Sequence, residues 1–337
     1  MPMVKISVII PVYNVERYLR ESLDSLLNQS FRDAEFIMVN DGSTDSSHDI
    51  CQEYVGRDDR FVLIDQPNGG PARARNTGMD AATGDYICFM DSDDLLAEEA
   101  LQKMFDLVQG YDILVHGTEF IGDYDEVPAW ISVAEKIKRA DVEDFSIRHI
   151  FSMYGCGPVL WLHLVKADLI QRDRLRINEN LTIGEDFSFA VTYFANARRV
   201  RFVPDKLYSY RLFRKGSLMT TFQDMPREKL DQSLYMSKVI YNSIKDKIRP
   251  TDEAAMINVL LIFNFRDFYR LEEDCILEYA DILERYMRVL HIESHARELS
   301  GMNIMMLGYL KGIRDGSVKI SERNRSMTAQ EYWKMFI

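Results

Sequence analysis

Long apolar runs are missing from this sequence. A membrane-spanning helix needs roughly 20 consecutive apolar residues, and the longest stretches, residues 8–12 and 259–265, fall far short of that. No transmembrane segment is expected. Cysteine is sparse: Cys51, Cys88, Cys156 and Cys275 are scattered through 337 residues. They form no CxxC pair and no zinc spacing, which excludes a disulfide framework and a structural zinc module. Reduced, buried thiols are expected instead. Positive charge is in deficit, with 41 Lys and Arg against 53 Asp and Glu, a formal net charge of −12. That balance argues against nucleic acid as a partner. Residues 1–5 pass directly into strand-like sequence without a small-residue cleavage site, so a secretory leader is not expected and a cytoplasmic location is. Two common phosphate-binding loops are also missing. No GxxxxGK[ST] occurs, and the turn after the first strand, Pro11-Val12-Tyr13-Asn14, has none of the glycines of GxGxxG.

What is present is enough apolar sequence, 47% of all residues, to bury a large core as one big domain or two smaller ones. The pattern around residues 86–94 organises the rest. Residues 86–90 are β-favouring and mostly apolar, as in a strand buried on both faces. Asp91, Asp93 and Asp94 crowd its C-terminal end. Packed carboxylates repel one another and call for a cation or hydrogen-bond donors. Hard oxygen ligands of this kind suit Mg²⁺ or Mn²⁺, with a phosphate completing the shell. The plainer alternative is a polar turn in which Ser92 and Asp93 cap a helix over residues 95–108.

The preceding residues repeat a β-α rhythm. Strands are expected at residues 5–12, 35–39 and 61–65. Helices are expected at residues 15–28, with Leu19, Leu23, Leu26 and Leu27 on one face, and from about 45 to 56. Asn40-Asp41-Gly42-Ser43-Thr44-Asp45 is a turn dense in caps, and Asn68-Gly69-Gly70-Pro71 opens a further helix. Short connections of this sort predict a mostly parallel sheet wound with helices. Ligands of such sheets sit beyond the C-terminal ends of the strands. Four polar turns therefore converge on one rim, and a metal on the aspartates, assisted by arginine, would replace the missing phosphate loop.

Ser7-Val8-Ile9-Ile10-Pro11-Val12-Tyr13-Asn14, Asn40-Asp41-Gly42-Ser43-Thr44-Asp45, Gly70-Pro71-Ala72-Arg73-Ala74-Arg75-Asn76-Thr77-Gly78 and Asp91-Ser92-Asp93-Asp94 follow in order. Together they resemble the large bacterial family of inverting nucleotide-sugar glycosyltransferases, glycosyltransferase family 2, over roughly residues 4–215. The resemblance implies an α/β, Rossmann-like GT-A fold: a mostly parallel sheet flanked by helices, with a helical C-terminal region. It further implies that Pro11 and Tyr13 line the nucleotide pocket and that Asp41 binds the base, fitting the imide N–H of uracil. Arg75 would lie near base or phosphates, with Arg73 on a solvated helix face. Asp91 would reach the ribose or a metal-bound water, and Asp93 would ligate Mn²⁺ or Mg²⁺ under the diphosphate.

Further along, a strand is expected at residues 111–116, an irregular acceptor-side excursion at 119–140, a helix at 142–153 and a strand at 200–203. Trp161 either stacks on a sugar ring or fills the core, and His163 receives no role. Gly184-Glu185-Asp186-Phe187 opens a helix. The family places its base in such a pair, so Asp186 is the expected general base with Glu185 as the alternate; a helix cap is the competing reading. Arg211 or Arg214 would fold over the pyrophosphate, unless this stretch is a surface loop.

Residues 1–220 are thus expected as the transferase domain, with 1–110 holding the nucleotide and 111–220 the acceptor, and 221–337 as a helical region. The last third shows apolar residues at helical spacing, as in Leu230, Leu234, Val239 and Ile240. It would cover the acceptor, pair with a second copy or touch a membrane face. Residues 311–337 hold six basic groups against three acids, with Trp333 and Phe336 among them. Such a tail would approach anionic lipid or simply stay solvated. The expected reaction is transfer of one sugar from a nucleoside diphosphate sugar, UDP-linked, to a hydroxyl of a glycan or lipid-linked glycan in cell-surface polysaccharide assembly. Processive relatives carry membrane helices and a QxxRW signature; this chain has neither, which favours single addition. Nucleotidyl transfer to a sugar phosphate is a rival, but it calls for a glycine-rich, basic first turn. A non-catalytic nucleotide-sugar-binding protein is a third reading, opposed by the intact carboxylates.

Overall fold

The computed structural model describes residues 5–124, 127, 129–150, 159–212 and 226–266, together with 275, 279–283, 285, 288 and 311. The expectations for Cys156, Arg214 and the basic tail with Trp333 and Phe336 fall outside the described residues. The chain divides into two compact units, one drawn from residues 1–127, 131–180 and 185–214, the other from 128–130, 181–184 and 215–337.

The first unit is built on a nine-stranded sheet: β1 (Ile6–Val12), β2 (Ala34–Asp41), β3 (Phe61–Gln66), β4 (Tyr86–Phe89), β5 (Leu95–Leu96), β6 (Ile113–Ile121), β7 (Ala140–Val142), β8 (His163–Lys166) and β9 (Val200–Arg211). Its order is β3-β2-β1-β4-β8-β6-β9-β5, with β7 paired to β9. Helices α1 (Glu16–Leu27), α2 (Ser47–Val55), α3 (Pro71–Ala81), α4 (Ala100–Val108), α5 (Ala167–Gln171) and α6 (Glu185–Phe194) accompany it. The α/β class is thus as expected. The first four strands are parallel neighbours, with Ile9 of β1 opposite both Ile37 and Phe89. Ile6, Val8, Ile9, Ile10 and Val12 of β1 are all fully buried, as a central strand covered on both faces requires.

Beyond β4 the sheet is mixed. β8 runs antiparallel between β4 and β6, and β6 pairs parallel with β9. Long-range pairing also overrides three local expectations. Leu95 and Leu96 pair with Ser209 and Tyr208 of β9, so the helix expected from residue 95 begins at Ala100. Ala140–Val142 pairs with β9, and Ile147–His149 forms one 3₁₀ turn, so residues 142–150 are not the expected helix; 151–158 lie outside the described residues. β6 continues to Ile121 and β9 to Arg211, both longer than their apolar cores.

The second unit contains α7 (Pro226–Ile244) and α8 (Glu253–Arg266). Leu230, Met236, Ile240 and Ile244 are buried on α7, and Met256, Ile257, Leu260 and Leu261 on α8. Tyr279 donates its hydroxyl to Asp231 (2.8 Å). Among the described residues no helix is long and apolar enough to cross a membrane. Cys51 and Cys88 are buried and in no disulfide, as expected of reduced thiols, and Cys275 is half-buried.

Candidate active site

The first two rim turns lace the N-termini of α1 and α2 together. Ser47 Oγ accepts from the Val15 N–H (2.9 Å) and Asp45 from the Glu16 N–H (3.1 Å). Glu16 returns a bond to the Ser46 N–H (3.0 Å). Each helix start is thus satisfied largely from the neighbouring turn, which fixes both. Asn14 takes a left-handed φ of 47° and accepts the Thr44 N–H at 2.8 Å. Pro11 is half-buried in β1 and Tyr13 is 49% exposed on the rim.

Asp41, at the end of β2, is 3% exposed and organises the glycine turn. Its Oδ1 accepts from Gln66 Nε2 (2.7 Å) and the Gly69 N–H (2.9 Å), and its Oδ2 from the Gly70 N–H (2.7 Å). Three donors occupy a carboxylate that has room for about four. Gly70, at φ 86°, caps α3 in a conformation other residues rarely adopt. A Cβ on Gly78 would lie 2.3 Å from Ile9 Cγ2, so its absence lets α3 sit close on β1.

Helix α3 then aims Arg75 inward. Arg73 is exposed, as expected, while the Arg75 side chain is 7% exposed. Its Nη2 donates to Asp91 (2.8 Å) and its Nη1 to Asp186 (3.1 Å), with Glu185 at 3.7 Å. Its Nε is buried without a hydrogen-bond partner. One guanidinium therefore joins the end of β4 to the start of α6. Asn76, the next residue, exchanges bonds with the Ile177 backbone through Nδ2 and Oδ1 (both 2.9 Å) and donates to Glu179 (3.0 Å). It holds the segment that leads into Glu185. Asn76 carried no sequence signal for this role.

One cation faces three carboxylates here, and burial makes the excess charge costly. Burial raises Asp186 to about 6; the Arg75 charge opposes the rise and Asp91 adds to it. Burial and the Asp186 charge raise Glu185 further, to about 8, again against Arg75.

Asp91, Asp93 and Asp94 form the last rim turn. Asp94 is 1% exposed, and burial, then Asp93, then Asp91 push its carboxyl well up. Asp91 keeps one oxygen on Arg75, and its side chain is 29% exposed. Among the described residues no group of three or more His, Cys, Asp or Glu is disposed to hold a metal. Mg²⁺ and Mn²⁺ held by one or two carboxylates plus substrate phosphates need no such cage. Asp91 and Asp93, two residues apart on the turn after β4 and offering oxygen donors only, have the chemistry that kind of site takes.

Of the two readings of Trp161, the core one holds. Trp161 is 3% exposed and stacked between Tyr208 (centroids 4.7 Å) and Tyr210 (5.0 Å), so it fills core and offers no face to a sugar. Arg211 donates to the Asp93 carbonyl (2.9 Å) and to Glu21 (2.7 Å) and lies over the Tyr18 ring. These contacts tie its guanidinium to the carboxylate turn and to α1. His163 is buried and bonded to the Tyr193 hydroxyl. A cavity of about 420 Å³ at the N-terminal ends of β1 and β4, lined by Lys5, Tyr86, Phe105 and Lys166 among others, holds none of the expected site residues.

The profile of the family described as Glycosyl transferase family 2 matches residues 7–154. Glycosyltransferase GlyG of Streptococcus pneumoniae is 32% identical over 294 residues, 83% of this chain and 94% of that protein. Uncharacterized glycosyltransferase EpsJ of Bacillus subtilis is 33% identical over 210 residues, 61% of this chain and 60% of its own length. The first 349 residues of Staphylococcus aureus TarS, solved with UDP-GlcNAc, share the fold at TM-score 0.74 and 20% identity, covering 98% of this chain and 92% of that one. Mannosyltransferase PcManGT of Pyrobaculum calidifontis, solved with GDP-Man and Mn²⁺, does so at TM-score 0.57 and 16% identity, covering 98% and 85%.

Proposed function

The chain belongs to glycosyl transferase family 2, and from that premise we propose that it moves a single sugar from a UDP-sugar to a hydroxyl of a glycan or lipid-linked glycan, with inversion. The observation that carries this reading is the Arg75 bridge, which sets a carboxylate of the donor-side turn, Asp91, beside the acceptor-side Asp186. The work is assigned to residues 1–220, with 221–337 as a separate helical region.

In this reading Tyr13 lies against base or ribose, and Asp41 offers its remaining acceptor position to the imide N–H of uracil. The buried Nε–H of Arg75 meets an oxygen of the donor. Mn²⁺ or Mg²⁺ on Asp93 and Asp91 would neutralise charge gathering on the departing diphosphate. Asp186 takes the proton of the acceptor hydroxyl as that oxygen attacks the anomeric carbon from the face opposite the diphosphate. The new C–O bond forms as the bond to the diphosphate breaks, the electron pair leaves with UDP and the proton stays on Asp186. Glu185, more strongly raised toward its neutral form, is less able to accept that proton.

A panel of sugar nucleotides incubated with the protein and Mn²⁺ tests the proposal. Metal-dependent UDP release that is lost in Asp93→Ala supports it. Pyrophosphate release from UTP and a sugar phosphate would instead show nucleotidyl transfer, and binding without turnover, even with glycan acceptors, a non-catalytic role.

A further inference from the structure

Two residues of β9, Tyr208 and Arg211, hold the carboxylate turn after β4 at several points. Asp94 accepts a hydrogen bond from the Tyr208 hydroxyl on Oδ2 (2.7 Å) and from the Arg211 N–H on Oδ1 (2.7 Å). The same Tyr208 oxygen accepts the Asp91 N–H at 3.0 Å. Arg211 Nε donates to the Asp93 carbonyl at 2.9 Å. The backbone on both sides of Ser92 is thereby pinned, and each Asp94 oxygen carries one of these bonds on a side chain only 1% exposed.

Tyr208 is itself immobilised. It is fully buried, its ring lies on Trp161 at 14° between planes, and its backbone pairs with Leu96. A carboxylate buried beside two others is an expensive way to close a turn, and an apolar residue would cost less. Such an arrangement persists where the geometry of the neighbours matters. We propose that Tyr208 is a positioning residue that acts through Asp94 to aim Asp91 and Asp93 at the cation and diphosphate of the donor. This rests on the reading of Asp91 and Asp93 given above.

The test is Mn²⁺ binding in the presence of UDP, followed by the electron paramagnetic resonance signal of free Mn²⁺, with no turnover required. Loss of a partner that orients a metal ligand typically weakens metal binding about 10- to 100-fold. Tyr208→Phe is expected to weaken Mn²⁺ binding at least about tenfold while UDP binding without metal and the circular dichroism spectrum stay unchanged. Asp94→Asn, which replaces one of the two accepting oxygens with an NH2 group, is expected to do the same and carries the test should Tyr208→Phe not fold. The double variant should lose less than the two single losses added together, because both substitutions break the Tyr208–Asp94 bond. Unaltered Mn²⁺ affinity in Tyr208→Phe or, where that variant does not fold, in Asp94→Asn would overturn this inference alone. Absence of UDP-dependent Mn²⁺ binding by the unaltered protein would overturn the proposed function and this inference with it.

Discussion

Arg75 and Asp186 are 111 residues apart in the chain, yet the guanidinium lies 3.1 Å from the carboxylate. The same side chain reaches Asp91 at 2.8 Å. The Arg75 charge opposes the rise of the Asp186 pKa, so the pairing both holds this carboxylate in place and keeps it less basic. An incoming diphosphate would compete for the same guanidinium and free the base as the donor arrives.

Asp186→Asn keeps the shape of this cluster and removes the proton acceptor. Sugar-nucleotide affinity, measured by calorimetry, is expected to stay within about twofold, while kcat falls by roughly 10²–10⁴, the range for loss of a general base. Normal transfer by this variant would pass the role to Glu185.

The same residue carries a pH prediction. As the proposed base Asp186 would work as the carboxylate, and burial raises it to about 6, so protonation would remove the base as pH falls through that value. kcat/KM should drop about tenfold per pH unit below it and level off above. A profile that stays flat down to roughly pH 4, as an exposed carboxylate would give, contradicts the assignment.

Asp41→Asn replaces one of two acceptor oxygens with an N–H group. The variant cannot accept from Gln66, Gly69 and Gly70 as Asp41 does. These donors are part-buried, and losing their bonds to Asp41 costs about 1 kcal/mol. Denaturant unfolding should show that loss, and UDP affinity should fall about tenfold, or ~1.4 kcal/mol. Unchanged stability would mean that the glycine turn holds itself.

Two buried histidines predict acid lability. Burial lowers His116 to about 4 and His163 to about 3, from an ordinary 6.5, with the His116 charge adding to the effect on His163. Below pH 6.5 the unfolded chain binds protons that the folded chain refuses, so stability declines as pH falls toward 4. Each proton contributes about 1.4 kcal/mol per pH unit. The melting temperature of His163→Phe should fall less steeply between pH 6.5 and 5 than that of the unaltered protein; an identical slope contradicts this origin.

Much of the nucleotide side was legible because it is local. β1 to β4 and the turns after β1, β2 and β4 are contiguous patterns, and the burial of Arg75 against the exposure of Arg73 follows helix phase. The acceptor side was less so. The strand expected at residues 200–203 runs on to Arg211 because β6 and β5 pair with it, and no window in the sequence contains those partners. Trp161, Tyr208 and Asp94 likewise take their places from contacts made across the sheet. For the same reason Asn76, inside a recognised motif, gave no sign that it grips residue 177.

The account stands on one rim gathering donor and base, and a crystal structure of the protein with UDP and Mn²⁺ tests that most directly. It should show uracil at Tyr13 and Asp41, the diphosphate between Arg75 and a cation on Asp93, and open space in front of Asp186. UDP bound at a place that leaves Arg75 still bridging Asp91 and Asp186, with no cation on Asp93, would contradict it.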